Sequence, residues 1–317
     1  MSDRPSARRL KIGVLGAGAM GSLFGGCLYE GGSTDVTLID INPAHVDEIR
    51  EHGLRLVNGH GDRRIDVPTV TPESVDSVFD ILLVFTKTLH THSALSGIAR
   101  AIGPETYLFS VQNGLDNKEA LLEFAAPERV LIGVTTYPAD IKGPGHVESH
   151  GEGVVRFAAA ASEQPSIVPA LLQAFEPSGL RIFYDPGVEA AIWEKVAFNA
   201  ALNSVCAITR STVGQIGADE GTRSLVLSIV GEVCRIATVS GIAVDIDRVN
   251  GMVEHALSHH THHKPSMLQD LLAGRMTEIE TINGAVVRRA IAAGIATPVT
   301  SVVLTLVRHV QSPPDLR

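Results

Sequence analysis

Three polar side chains with chemistry to offer stand at even spacing in one apolar stretch: Lys195, Asn199 and Asn203, within residues 193–210. The stretch has neither Gly nor Pro and is rich in Ala, so it reads as a helix. Steps of four bring one ammonium and two amides onto a single face. Their flanks, Val196, Ala197, Phe198, Ala200, Ala201 and Leu202, are apolar and set that line among packed groups. Buried polar groups are costly without partners, and a small oxygen-rich substrate would be one such partner. The plain structural alternative is a Lys that reaches water at a helix end, with two Asn satisfied by neighbouring backbone.

A second set of residues, near the N-terminus, suits phosphate binding. Residues 11–15 form a short β-rich run that leads into Gly16-Ala17-Gly18-Ala19-Met20-Gly21, the G-x-G-x-x-G spacing. Residues 22–30 then read as a helix, and 36–39 as a second strand ending in Asp40. Gly16 makes the tight turn, Gly18 lets the backbone approach a pyrophosphate, and Gly21 lets the helix pack close to the strand. The helix start adds free N–H groups and the positive end of its dipole. The spacing alone is weak; strand, helix and answering acid together mark a dinucleotide-binding unit. A carboxylate at Asp40 accepts hydrogen bonds from both hydroxyls of the adenine-side ribose and repels a 2′-phosphate. No Arg or Lys follows until Arg50, so these residues favour NAD over NADP. The alternative is that Asp40 caps the helix beginning at Asn42-Pro43 and a phosphate is held elsewhere.

The first half of the chain keeps an α/β rhythm. Residues 65–70 read as a peripheral strand. Residues 80–85 read as a buried one, with Thr86-Lys87-Thr88 at its carboxyl end, where ligands bind in open parallel sheets. Residues 107–111 form the next strand and Gln112-Asn113-Gly114 its exit turn, so Lys87 and Asn113 come from two strand ends on one rim. Taken singly, Lys87 reads as a solvated loop Lys and Asn113 as an ordinary Asn-Gly turn. Residues 130–157 are Gly-rich and β-like, 180–183 form the last strand, and Asp185-Pro186-Gly187 is the natural boundary. Helical stretches follow at 188–208, 222–240, 247–259, 277–293 and 299–311. The expected fold class is α/β: a Rossmann-type dinucleotide-binding domain over 1–186, then an all-α C-terminal domain over 187–317 that binds substrate.

Composition narrows the function classes. A length of 317 residues suffices for two domains with separate cores. Aromatic residues, at 4%, are too few for a stacking platform on single-stranded nucleic acid. A net charge of −9 opposes nucleic acid and anionic membranes as partners, while a local Lys can still recruit an anionic substrate. Cys27, Cys206 and Cys234 have neither metal-ligand nor disulfide spacing and read as reduced core thiols of a cytoplasmic protein. Arg4, Arg8 and Arg9 before the apolar run 10–28 imitate a secretory signal, but that run is glycine-rich and is better explained as a strand and glycine turn. No stretch is long and apolar enough to span a bilayer.

These residues resemble the ketopantoate reductase (2-dehydropantoate 2-reductase) family over essentially the whole chain. The glycine loop, Lys87 and the Asn113-Gly114 turn are similar to that family's cofactor domain. Lys195, Asn199 and Asn203 are similar to the opening of its helical domain. The most specific match is Ser266-Met267-Leu268-Gln269-Asp270, followed by Thr277-Glu278-Ile279-Glu280 and Ile282-Asn283-Gly284. The resemblance implies NADPH-dependent reduction of 2-dehydropantoate to D-pantoate, on the route to coenzyme A. It implies Lys195 as the general acid that protonates the carbonyl oxygen and Glu278 as its acidic partner. It further implies Asn113, Asn199, Asn203 and Ser266 as substrate ligands, Asn113 also touching the cofactor, and Lys87 beside the nicotinamide end. Burial lowers a Lys pKa toward neutrality, where proton donation is efficient, and a charged donor stabilises a forming alkoxide. Asp40 departs from the pattern, because NADPH users of the family tend to carry a basic residue after the second strand.

His255, His259, His260, His262 and His263 lead toward Ser266. His259 and His263 are four apart, as metal ligands on a helix can be, but no further ligand beyond nearby Glu254 completes a set. The cluster reads as a mobile, pH-sensitive loop over the substrate cleft, with no metal. Two other functions stay open. One is an NAD-dependent dehydrogenase of another branched 2-oxo or 2-hydroxy acid. The other is a non-catalytic dinucleotide sensor, which keeps the glycine loop and needs neither Lys195 nor Glu278. Apolar surface on the terminal helices leaves packing in cis and a homodimer both open.

Overall fold

The structure, a computed structural model, describes residues 9–161 and 163–311; Arg4 and Arg8 of the apparent signal lie outside them. The chain divides into two compact units. One holds the residues up to 112 together with 117–188, the other 113–116 together with the residues from 189 on.

The first unit runs β1 (Leu10–Leu15), α1 (Ala19–Glu30), β2 (Thr34–Ile39), α2 (Pro43–His52), β3 (Leu54–Asn58), β4 (Gly61–Ile65), β5 (Thr69–Val70) and β6 (Ile81–Val84). It continues with α3 (Thr91–Gly97), β7 (Tyr107–Ser110), α4 (Asn117–Leu122), β8 (Val130–Thr135), β9 (Asp140–Gly143), β10 (His146–Glu148), β11 (Val155–Ala159), α5 (Val168–Phe175) and β12 (Ile182–Tyr184). Eight strands form the main sheet in the order β12-β11-β8-β7-β6-β1-β2-β5. Every pairing is parallel except β8 with β11. The central strand β6 is Ile-Leu-Leu-Val with all residues buried, the continuous apolar run that a parallel strand covered on both faces requires. Phe24 of α1 clusters with Phe85, Tyr137 and Phe175 and fixes that helix on the sheet.

A second sheet, β4-β3-β10-β9, was not legible in the pattern. Residues 65–70, expected as one peripheral strand, are shared between the two sheets: Ile65 ends β4 and Thr69–Val70 joins the edge of the main sheet beside β2. Pro68 lies between them and has no N–H to continue a ladder; its carbonyl instead accepts the Leu38 N–H at 2.8 Å.

The described part of the second unit is helical: α6 (Val188–Thr209), α7 (Val213–Ala218), α8 (Glu220–Val239), α9 (Ile246–His259), α10 (Ser266–Leu272), a π-helical turn (Glu280–Gly284) running into α11 (Ala285–Ala292), and α12 (Pro298–Val310). The fold class is thus α/β, a Rossmann-type sheet unit with a helical C-terminal unit. α6 is the central helix: from Ala191 to Ile208 no residue is fully exposed, as expected of a helix that is apolar nearly all round. Glu194, 5% exposed, anchors it by accepting from Arg248 of α9 and from the N–H of Asp245, which caps that helix. Residues 277–293, expected as one helix, begin instead with a bend at Glu278 and the wider π turn. Among the described residues no helix is long and apolar enough to cross a membrane.

Candidate active site

The polar line on α6 is set as its apolar flanks dictate. Asn199 and Asn203 are 8% and 6% exposed, and Lys195 is partly exposed. Neither amide has a hydrogen-bond partner among the described residues, and neither has its polar atoms sealed from solvent. Both amides therefore open onto accessible space with donors and acceptors unused, which is unfavourable until water or a ligand completes them. Lys195 keeps some surface, yet its ammonium is densely enclosed. Desolvation brings it from 10.5 down to about 8, against the neighbouring Glu278 carboxylate, which pulls it up. Such a group is charged at neutral pH and gives up its proton readily.

Glu278 owes its place to the π turn. The Gly284 N–H reaches back to the Ile279 carbonyl at 2.9 Å, and the Thr281 carbonyl accepts the Leu115 N–H at 3.1 Å from outside the helix. Wide turns of this kind release backbone groups and recur at functional sites. Gly114 has φ +97°, and a Cβ there would lie 2.5 Å from the Thr281 oxygen, so only Gly permits the approach. Asp116 is held by Arg288 and, at 2.7 Å, by Arg289. Residues 113–116 are thereby fastened to the helical unit, and the Asn113 amide donates to Glu278 Oε2 at 3.3 Å. Asn283, fully buried, donates to the Ala200 carbonyl at 3.0 Å and fixes the π turn against the middle of α6. Lys195, Glu278 and Asn113 come together; Asn199 and Asn203 share the helix face with Lys195. Ser266 stands exposed at the first turn of α10, and no hydrogen bond to that group is present for it.

In the first unit the glycine loop has the geometry that phosphate binding requires. Gly16 turns with φ +91° and donates to the Ile39 carbonyl at 2.8 Å. A Cβ on Gly21 would sit 1.9 Å from the Gly16 oxygen, whereas one on Gly18 would meet nothing within 4 Å. The third glycine thus serves packing, and the second leaves backbone open to a ligand. α1 has no side-chain cap and no acidic residue in its first turn, so its orphan N–H groups suit an anion. Asp40 accepts the Ala17 N–H at 2.7 Å on Oδ2 and the Asn42 N–H at 2.8 Å on Oδ1. It therefore holds both the loop and the entry to α2. Each oxygen retains a lone pair for a ribose hydroxyl. The Ala17 N–H is turned to Asp40, which leaves Gly18, Ala19, Met20 and Gly21 to face a phosphate. Arg50 donates to the Thr69 carbonyl at 2.8 Å and is committed to that strand.

Other residues of the two regions carried no sequence signal. Gln112 donates to Thr91 Oγ1 at 2.9 Å and to the Thr86 carbonyl, while its own carbonyl accepts from Asn117, knitting the exits of β6 and β7 around the partly buried Lys87. Asn113 follows the end of β7, which lies beside the end of β6 as expected, while its contacts group it with the helical unit. The His cluster is divided between a helix and the loop that follows it. His255 and His259 lie on α9 with rings stacked at 4.3 Å, and the turn after them is tied to α7 by backbone bonds from Val213 and Gly214 to the His263 and Thr261 carbonyls. His260, His262 and His263 stand in the expected loop before α10, whereas His255 and His259 belong to the helix. An apolar cleft of about 370 Å³ lined by Val205, Ile208, Leu225, Val299, Val302 and Leu306 offers no group for the chemistry.

A Rossmann-type sheet with a glycine loop, followed by a helical unit bearing a poised Lys beside a carboxylate, is the make-up of a nicotinamide-dependent oxidoreductase. Two family models match the chain: "Ketopantoate reductase PanE/ApbA" over residues 12–162 and "Ketopantoate reductase PanE/ApbA C terminal" over 187–311. The 2-dehydropantoate 2-reductase of Lactococcus lactis subsp. lactis is 32% identical over 295 residues, 91% of this chain and 94% of its own. That of Halobacterium salinarum is 33% identical over 309 residues, 95% of this chain and 99% of its own. Among solved structures, the ternary complex of D-mandelate dehydrogenase with NADH and anilino(oxo)acetate is similar with TM-score 0.90 and 32% identity, covering 95% of this chain and 98% of that one. The chain belongs to the ketopantoate reductase family.

Proposed function

We propose that the protein reduces a 2-oxo acid to the 2-hydroxy acid with NADH, and that 2-dehydropantoate, giving D-pantoate, is the substrate. The observation that carries this reading is the ammonium of Lys195, brought to about 8 beside Glu278, with two open buried amides on the same helix face. Lys195 gives its proton to the substrate carbonyl oxygen, and its charge stabilises the alkoxide as it forms. Glu278 keeps the ammonium aimed and charged. Asn113, Asn199, Asn203 and Ser266 hold the carboxylate and hydroxyl of the substrate. Gly16 to Gly21, Asp40 and Lys87 hold the dinucleotide. When bound, the reduced nicotinamide supplies the hydride for the carbonyl carbon. The names of the curated relatives support the substrate; Asp40, and the NADH in the D-mandelate dehydrogenase complex, support the cofactor.

The test is oxidation of NADH and NADPH, in parallel, with 2-dehydropantoate as acceptor. Faster turnover with NADH is expected. Turnover with NADPH alone would discard the Asp40 argument and keep the reaction. Asp40→Arg, which removes the repelling carboxylate and offers a cation, is expected to move the NADPH/NADH ratio of kcat/KM upward by about a hundredfold; an unmoved ratio would show that Asp40 does not discriminate.

The poised Lys195 also sets a pH profile. Reduction needs the protonated amine, so kcat should hold through neutrality and fall above pH about 8, while oxidation of the hydroxy acid rises through the same pH. A reduction rate still level at pH 10, where a Lys lowered to about 8 has lost its proton, contradicts the assignment.

A second reading is favoured by Asp40 together with the likeness to D-mandelate dehydrogenase: an NAD-dependent dehydrogenase of another branched 2-oxo acid. A higher kcat/KM for such an acid than for 2-dehydropantoate would select it.

A further inference from the structure

The glycine loop is tied to the second sheet of its unit through one side chain. His45, in the first turn of α2, is 2% exposed. The Gly145 N–H, in the turn between β9 and β10, donates to its Nδ1 at 3.0 Å. That bond makes Nδ1 an acceptor and leaves the proton of the neutral ring on Nε2. Nε2 lies 3.4 Å from Ser22 Oγ, which itself donates to the Ala17 carbonyl at 2.6 Å. One polarity satisfies every member: Gly145 N–H to His45, His45 Nε2–H to Ser22, Ser22 O–H to Ala17.

We propose that His45 is a positioning residue for the dinucleotide: through Ser22 it fixes the Ala17 peptide, and with it the N–H groups of Gly18 to Gly21 that face the pyrophosphate. The inference rests on the dinucleotide reading given above. Ala17 is clamped on both sides, its N–H by Asp40 and its carbonyl by Ser22. A loop held this way loses less freedom when it closes on phosphate. The anchor at the far end is firm, because the Gly145 carbonyl accepts the Arg55 N–H of β3 at 2.8 Å.

Burial, against the nearby charge that acts on the ring, keeps it neutral and the chain intact at neutral pH. Asp40 acts on it from the end of β2; on α2 itself Glu48 packs against Gly145 and pairs with Arg64 of β4 at 3.8 Å; α1 contributes the Ser22 hydroxyl. Burial pushes the imidazole below its ordinary 6.5, and this outweighs the Asp40 charge and the Ala17 carbonyl, which pull it up. A protonated ring would aim an N–H at the Gly145 N–H and break the first link.

Direct binding of NADH, with NADPH in parallel, to the whole protein without substrate tests this, read by nucleotide fluorescence beside the melting temperature. His45→Asn keeps an acceptor where Nδ1 stood and offers nothing where Nε2 stood; His45→Gln offers an N–H in place of Nε2. His45→Asn and Ser22→Ala should each weaken binding about tenfold, and His45→Gln by no more than about threefold, with kcat at saturating dinucleotide nearly unchanged. Wild-type affinity should also fall at acid pH, below the ordinary imidazole value of 6.5, a fall that His45→Gln abolishes. Unchanged affinity in His45→Asn and Ser22→Ala overturns the proposal alone. So does equal weakening in the Asn and Gln variants that follows the loss of melting temperature. If the wild-type protein binds neither nucleotide, the dinucleotide reading and this proposal fall together.

Discussion

Replacing Lys195 with Ala is expected to lower kcat for reduction by about a thousandfold while leaving dinucleotide affinity within about twofold. Two effects combine. The substrate oxygen loses its proton donor, and the forming alkoxide loses the positive charge that Lys195 holds among the apolar groups of α6. The fall in rate above pH 8 should disappear with the side chain, since the residue responsible for it is gone. Lys195→Met, which keeps the aliphatic stem, should lose as much activity as Lys195→Ala; a large difference between them would assign the loss to packing. The ionisation also has a consequence for stability. Burial lowers the Lys195 pKa from 10.5 to about 8, so the unfolded chain binds more protons between those values. The cost of burying this group is therefore fully present below pH about 8 and is relieved as pH increases toward 10.5. The folded protein bears a buried cation at neutral pH, a cost that Lys195→Met removes. The Met variant should melt no lower than wild type at pH 7, and a lower melting temperature there would contradict that view of the site. Turnover at the wild-type rate by either variant would remove Lys195 from the chemistry.

Glu278→Gln is expected to lower kcat at pH 8 by about a hundredfold and to shift the downturn of the profile to more acidic pH. The direction follows from the sign of the interaction. The Glu278 charge raises the Lys195 pKa against desolvation, so its removal lets burial pull the amine lower still, and less of it is protonated at the same pH. Gln retains an oxygen that can accept from Asn113, whose bond to Glu278 spans 3.3 Å, so the bend before the π turn should hold its shape. Glu278→Asp keeps the charge on a shorter stem. It should leave the downturn near its wild-type pH while still costing rate through altered reach. A downturn that stays in place in the Gln variant, or moves to higher pH, would falsify the Glu278–Lys195 coupling.

Much of this protein is local in its chain and was legible there. The glycine loop announces itself because turn, phosphate approach and helix packing each need a missing side chain at a fixed step, and Gly16, Gly18 and Gly21 occupy those steps as the geometry requires. The spacing of Lys195, Asn199 and Asn203 is a helical periodicity, and the apolar residues between them say that the face is buried. What escaped the pattern depends on contacts between residues far apart in sequence. Asn113 reaches Glu278 across 165 residues because the π turn exposes the Thr281 carbonyl to Leu115, and a π turn leaves no mark in hydrophobic periodicity. The second sheet brings β3 beside β10, nearly a hundred residues later, through strands too short and too mixed in polarity to stand out.

The sequence by itself thus determined that a phosphate-binding loop precedes a buried Lys on an apolar helix, since both follow from steric and periodic rules acting within about a dozen residues. Only the tertiary structure decided that a π turn sets the bend at Glu278, where the chain between 113 and 116 belongs, and that His45 ties the loop to a second sheet. Those outcomes turn on which buried donors and acceptors satisfy one another once each unit has packed, and a buried group takes whatever partner the packing brings within reach.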